Sequence, residues 1–305
     1  MKPEAPGDGK QSGNKKSPTE LPTTDQNSST EQSATKNQKS PTEIQPTAEN
    51  QKSSKQQLKE DLRFIVIFVF FFSLFRFFVY DWYIVPSSSM VPGLLIGDMP
   101  FVEKFTYGFS KHSIWFSPNL FSGRLFFRNN VKRGEVIVFK HPKDERNPEN
   151  EDINLIKRVI ALPGDRISVG DGIIRVNGIP AKLTFKHKMA YRDTHAHRFH
   201  ELSLYEEVLP LSDAPPHTVA YLDEMKFSDA NNFQEVTVPP GHYFVMGDNR
   251  DCSKDSRCGL GFVPEENLMG RAWFVVYSID NGVKLWEFWR WFQNIRYKRL
   301  LRRII

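Results

Sequence analysis

Hydrophobic and polar positions divide the chain into blocks of different character. Residues 1–60 contain no Phe, Trp or Tyr and are rich in Lys, Ser, Thr, Gln, Asn, Glu and Pro. Such a stretch buries too little apolar surface to offset the entropy of ordering it, which predicts a disordered tail. Within it Lys16-Ser17-Pro18-Thr19-Glu20-Leu21 recurs as Lys39-Ser40-Pro41-Thr42-Glu43-Ile44, a low-complexity duplication. Residues 62–80 are an apolar run carrying Arg63 near its start and Arg76 near its end. It is apolar all round rather than on one stripe, and a bilayer core needs ~20 such helical residues, so it reads as one membrane crossing. Arg76 is placed to snorkel to the interface, and Tyr80, Trp82 and Tyr83 supply an aromatic belt. From residue 84 the pattern turns to short strands. Glu135–Phe139, Lys157–Leu162, Arg166–Val169, Ile173–Val176, 242–246 and 271–277 are β-rich runs divided by Gly, Pro, Asn and Asp turns.

Long helical periodicity is scarce, so the predicted fold is mostly β, a domain of antiparallel sheets. Residues 180–235 are polar, with five His and four Pro, and read as an elaborated insertion. The expected organisation is a disordered tail (1–60), a transmembrane helix (61–81) and a main β domain (82–168 and 236–285). A smaller β or irregular domain is inserted at 169–235, and a basic, aromatic segment ends the chain at 286–305. That last segment is open to two readings, an interfacial helix or a solvated basic tail.

Charge gives the orientation. Lys52, Lys55, Lys59 and Arg63 flank the near side of the apolar run, and no Lys or Arg lies between Asp81 and Glu103. The positive-inside tendency places the tail in the cytoplasm and residues 81–305 outside. The overall balance, 41 Lys+Arg against 36 Asp+Glu, is only mildly basic. Much of the excess sits in 284–305, which suits a membrane surface and excludes a nucleic-acid footprint spread over a folded face. Cys252 and Cys258 make no disulfide framework; a single pair and two separate thiols both remain open.

Three segments carry candidate chemistry. Pro86-Ser87-Ser88-Ser89-Met90-Val91-Pro92 sets hydroxyls between prolines just past the membrane; alone, such a pattern is usually a turn. Ile156-Lys157-Arg158-Val159 puts a basic pair inside an apolar strand, and period-2 alternation sends the two side chains to opposite faces, one of them inward. A buried lysine tends to lose its proton, and its neutral amine is then able to serve as general base to a serine; the plainer reading is a lysine facing solvent. Gly247-Asp248-Asn249-Arg250-Asp251-Cys252-Ser253-Lys254-Asp255-Ser256-Arg257 is dense in carboxylates and hydroxyls. The spacing of its acids comes without the Gly and distal Glu of an EF-hand, leaving an ion-paired buttressing loop.

Together these segments resemble the serine, lysine and C-terminal boxes of bacterial type I signal peptidases (leader peptidases). Leu94–Asp98 and Val102–Phe105 continue the first box, Lys132–Val136 with Phe139 resembles the strand box, and Leu162–Asp165 completes the lysine box. The resemblance spans roughly residues 82–280 in the family's order, with the tail outside it. It implies a Ser–Lys serine protease with Ser89 as nucleophile and Lys157 as general base. Ser87, with the Ser89 N–H, would stabilise the oxyanion. Ser253 would hydrogen-bond and orient the lysine amine, and Asp255 and Arg257 would brace their loop as an ion pair. Asp248, Asn249 and Arg250 would belong to the same scaffold. Val85, Met90, Leu94 and Ile156 match positions lining shallow apolar pockets for small residues such as Ala ahead of the cut bond. The substrates implied are signal-peptide-bearing preproteins, met at the lipid bilayer near the protein-export channel. The location implied is the inner or plasma membrane, with no cofactor, metal or nucleic acid.

Three positions depart from the family pattern. Ser88 stands where Gly is common and leaves a rival hydroxyl, Gly93 replaces the usual Thr, and Cys252 replaces the more usual Asn. Rival readings were a regulatory Ser–Lys protease with another substrate and a penicillin-binding type of enzyme. The first lacks a DNA-binding module or an internal Ala-Gly site; the second has its Ser-x-x-Lys only as Ser12–Lys15 in the tail. From a different class, a membrane-anchored metal-binding module would use His195, His197 and His200 with His187 nearby, against the plainer reading of a histidine-rich surface loop. A non-enzymatic membrane scaffold completes the set.

Overall fold

The structure, a computed structural model, describes residues 48–113, 123–125, 129–143, 153–193, 198–222, 231–280 and 287–305. Helix α1 spans Ala48–Phe78. It starts inside the segment expected to be disordered tail. Lys, Glu, Gln and Leu over that stretch are good helix formers and no Gly or Pro interrupts them, so the helix of the apolar run extends backwards at little cost. From Phe64 to Phe75 its apolar side chains are exposed. Among the described residues no helix is long and apolar enough to cross a membrane.

Seven strands form the main antiparallel sheet. Their order is β1 (Tyr80–Trp82), β2 (Asp98–Glu103), β14 (Leu268–Ser278), β3 (Val136–Lys140), β4 (Asn154–Ala161), β12 (His242–Met246) and β13 (Val263–Pro264). β4 is central: β3 pairs it through Ile137 and Lys157, and β12 through Val245 and Val159. A four-stranded sheet is ordered β11 (Phe233–Thr237), β5 (Arg166–Gly170), β6 (Ile173–Val176) and β7 (Ile179–Pro180). Its Ile167, Val169, Ile174 and Val176 are buried with Ile160, Phe244 and Met246 of the main sheet. This joint core crosses the domain border drawn at residue 168: β5 straddles that border, and β11, its partner far along the chain, straddles the one at 235–236.

The third sheet gives the inserted segment the β structure that was one of its two expected forms. β8 (Lys182–Asp193) and β9 (Arg198–Val208) form a long hairpin, and β10 (His217–Leu222) pairs with β9. The segment is polar because much of the hairpin faces solvent, not because it lacks order. Its apolar face is short: Leu202, Leu204 and Ala220 are buried together with Val91. His195 and His197 lie outside the described residues, as does the His200 side chain. Among the described residues no cluster of His, Cys, Asp or Glu could hold a metal.

Neither reading of the C-terminal segment holds over its length. A short helix, α2 (Phe288–Asn294), exposes Trp289 and Phe292. Beyond it the chain returns to β14, where Val275 N–H donates to Arg302 O and Ile304 N–H to Trp273 O. Arg299 is buried and grips Asp98, fully buried itself, through Nε at 3.0 Å and Nη2 at 2.5 Å. A buried carboxylate is costly unless paired, and this basic tail supplies the partner. Cys252 and Cys258 are exposed and form no disulfide.

Candidate active site

Alternation along β4 was expected to turn only one of Lys157 and Arg158 inward. Both are buried, with 4% and 1% of their surface exposed. Each is accommodated by a different partner. The Arg158 guanidinium donates to both Asp248 carboxylate oxygens at 2.7 Å, to Gly134 O at 2.8 Å and to Ile305 O at 2.8 Å. Its charge is matched and its donors are used, the condition under which an arginine survives burial. Lys157 meets a hydroxyl instead: its Nζ lies 2.6 Å from Ser89 Oγ.

Ser89 sits in a tight turn, Ser88–Met90, and is 7% exposed. Two contacts from the 247–257 loop hold this turn. Asn249 N–H donates to Ser89 O at 3.0 Å and Asn249 Nδ2 to Ser88 O at 3.2 Å. Ser87 is exposed, with its Oγ 3.3 Å from Ser89 Oγ. Gly247 is obligatory for packing. A Cβ there would collide with Ser253 Oγ and with Ser89 O, closer than real Cβ atoms approach anything.

The carboxylates beside Lys157 explain its electrostatics. Burial drives its pKa down from the usual lysine range, while the charges of Asp255 and Asp248 pull the other way; burial wins and leaves it at about 8. Burial would raise the Asp255 carboxyl, but the charge of Arg257 and hydrogen bonds from Arg257 and Gly247 hold it below the ordinary range. Arg257 reaches both Asp255 oxygens, Nε at 3.0 Å and Nη2 at 2.9 Å. Each acid near the lysine therefore has its own buried guanidinium, Asp248 with Arg158 and Asp255 with Arg257. The lysine is left with most of its desolvation uncompensated.

The other expected site residues fall as follows. Val85, Met90, Leu94 and Ile156 are buried in one cluster with Val136, Val138 and Ala272, edged by Tyr83 and Ile304. Ser253 departs from expectation. Its Oγ is buried without a hydrogen-bond partner, so the bond to the lysine amine is not made in this structure. It is lodged against the floor at Gly247 instead. Arg250 is fully inside, with Nη1 and Nη2 on the Glu207 carboxylate at 2.7 and 2.5 Å. The remaining acid of this loop is occupied too: Asp251 accepts from Leu222 N–H and Asn231 Nδ2, both at 2.8 Å. Glu207 escaped the sequence reading because it follows another glutamate in a polar strand. The pairing of Asp98 with Arg299 spans most of the chain, and no local pattern marks it.

A family model described as signal peptidase, peptidase S26, matches residues 58–277. Signal peptidase I of Buchnera aphidicola subsp. Acyrthosiphon pisum (strain APS) is 32% identical over 271 residues, covering 77% of this chain and 80% of that protein. Signal peptidase I of Rickettsia bellii (strain OSU 85-389) is 31% identical over 266 residues, covering 83% and 86%. A crystal structure of a signal peptidase I from Enterococcus faecalis V583 is 26% identical, covers 47% of this chain and 97% of that one, and superposes with a TM-score of 0.26, too low to bear on the fold. The chain belongs to the signal peptidase family, peptidase S26, and is a serine peptidase.

Proposed function

We propose that this chain is a membrane-bound endopeptidase that removes signal peptides from exported preproteins, with Ser89 as nucleophile and Lys157 as general base. The observation that carries the reading is the 2.6 Å approach of Lys157 Nζ to Ser89 Oγ, both groups buried. Signal peptidase I relatives over most of the chain support the substrate class.

The chemistry runs from the neutral amine. Its lone pair accepts the Ser89 Oγ–H proton while Oγ attacks the scissile carbonyl carbon and the carbonyl π electrons move onto oxygen. The Ser89 N–H and the Ser87 hydroxyl stabilise that oxyanion. The Lys157 ammonium then gives its proton to the leaving amine as the C–N bond breaks, leaving the signal peptide as an ester on Oγ. A water, deprotonated by the same amine, cleaves the ester and restores the serine. Ser89 ahead of Ser88 is favoured as nucleophile because Ser89 Oγ meets the amine. The apolar cluster of Val85, Met90, Leu94 and Ile156 suits small side chains before the cut bond, the Ala-x-Ala type.

Membrane attachment rests on the run 62–80, which continues past Phe75 to Tyr80 with Arg63 and Arg76 near its ends. Ring contacts link it to the sheet: Phe75 tilted against Tyr80 at 5.6 Å, then Tyr80 stacked on Phe101 at 5.2 Å and Phe101 on Phe274 at 4.9 Å. Exposed Trp273, Trp289 and Phe292 supply apolar surface suited to an outer leaflet. Ser89 follows Tyr80 by nine residues, which keeps it within about 30 Å of the bilayer.

The test is cleavage of a peptide whose signal part ends in Ala-x-Ala by the full chain in detergent. Ser89→Ala and Lys157→Met should each abolish it, and retained cleavage in both would remove the dyad.

A further inference from the structure

The third sheet reaches the site through a carboxylate that no sequence motif marks. Glu207, near the end of β9, is fully buried, and its two oxygens receive the two terminal nitrogens of Arg250. His217 Nε2 of β10 lies 3.1 Å from the same carboxylate. Burial would push the Glu207 carboxyl up, but the Arg250 charge, aided by His217, holds it well below the usual range. Arg250 passes this anchorage to the loop: its Nε donates to Gly247 O at 3.1 Å. Ala220 of β10 grips the loop from both directions, accepting from Arg250 N–H at 2.9 Å and donating to Asp248 O at 2.8 Å. Between those two contacts stands Asn249, whose N–H and Nδ2 hold Ser89 O and Ser88 O. The same sheet also seats the far side of the nucleophile turn. Val91, two residues after Ser89, is fully buried against Leu202, Leu204 and Ala220.

We propose that Glu207 is a positioning residue for the proteolytic reaction, and that the β8–β10 sheet is the seat on which the Ser89 turn is held in register with Lys157. The proposal rests on the reading of Ser89 as nucleophile. Glu207 touches neither the serine nor the amine; it acts through Arg250, Gly247 and Asn249. A displacement of about 1 Å at a reacting atom costs on the order of 100-fold in rate, so a loosened seat is read in kcat before it is read in binding.

The experiment compares Glu207→Gln with the parent as full chains in detergent, on the Ala-x-Ala peptide. Glutamine keeps the shape and removes the charge that fixes the guanidinium. Expected is a fall in kcat of about 10- to 100-fold, with KM within about twofold and the acid limb of the pH profile unmoved. Glu206→Gln, on the adjacent half-buried position that pairs with Lys186 at 2.8 Å, should leave both constants unchanged. Glu207→Asp should fall between parent and Glu207→Gln. An unchanged kcat in folded Glu207→Gln, or a change confined to KM, overturns the proposal. So does failure of both Glu207 variants to fold, which would make the carboxylate a folding group only. Ser89→Ala is assayed alongside: if it is inactive while Glu207→Gln is fully active, the nucleophile stands and only the seat falls.

Discussion

With Lys157 as the proposed base, pairing each nearby acid with its own guanidinium makes that amine tunable in both directions, from two positions in one ion pair. At a pKa of about 8, roughly one amine in ten is neutral at pH 7, against about one in 2,500 at the ordinary lysine value of ~10.4. Arg257→Met leaves the Asp255 charge without its buried partner. An uncompensated carboxylate at this range raises a lysine by about 1 unit or more, so the neutral fraction at pH 7 falls about tenfold further. Asp255→Asn does the reverse: it removes a charge that raises Lys157 and leaves Arg257 to repel the ammonium, lowering the pKa by about 1 unit. The assay is kcat/KM of each variant from pH 5.5 to 10.5, fitted to a single ionisation on the acid side. Expected midpoints are displaced upward for Arg257→Met and downward for Asp255→Asn, on either side of a parent midpoint near 8. Breaking a buried pair costs about 3–5 kcal/mol of stability, so the assays belong well below each variant's own Tm. Midpoints that move together, or rates that fall by one factor at every pH, would refute this account of the base.

Three further outcomes follow from the same geometry. Lys157→Met should be inactive yet more stable at pH 6, by about 2–3 kcal/mol, since the native state no longer holds a desolvated ammonium. A depressed lysine pKa penalises the fold below about 8, and the penalty is relieved as pH rises through 8 towards 10.4; urea melts at pH 6 and pH 10 should therefore show the advantage shrinking. Gly247→Ala, whose methyl would meet Ser89 O and Ser253 Oγ, should lower kcat by on the order of 100-fold, read in steady-state kinetics. Arg299→Ala strips the buried Asp98 of its chief partner and should lower Tm by roughly 5–10 °C in thermal unfolding, from a loss of about 2–4 kcal/mol.

Much of the candidate site is legible in sequence because its parts are local. Ser87–Ser89, Ile156–Arg158 and Gly247–Arg257 are each contiguous, and strand alternation was enough to suspect a buried Lys157. The burial of Arg158 is not legible from alternation, because β4 is covered on both faces and the carboxylate that makes a buried guanidinium tolerable, Asp248, lies 90 residues away. The same reason hides Glu207 with Arg250 and Asp98 with Arg299: each member looks like an ordinary surface charge until the fold brings its partner. β8 and β9 leave the choice between β and irregular structure open in sequence because a hairpin wetted over much of its surface needs few apolar residues. Even so, Leu202 and Leu204, spaced by one residue, held the alternation that seats Val91. The unbonded Ser253 Oγ has no signature in sequence at all.

The central claim is an amine at position 157 that is neutral near physiological pH while touching the Ser89 hydroxyl. Nitrogen-15 NMR of the chain with labelled lysine side chains, with the resonance assigned by its loss in Lys157→Met, follows that amine through its titration. A midpoint near 8, shifted in Ser89→Ala, is the predicted result. An amine that stays protonated to pH 10 or beyond, indifferent to the loss of the serine hydroxyl, would contradict it.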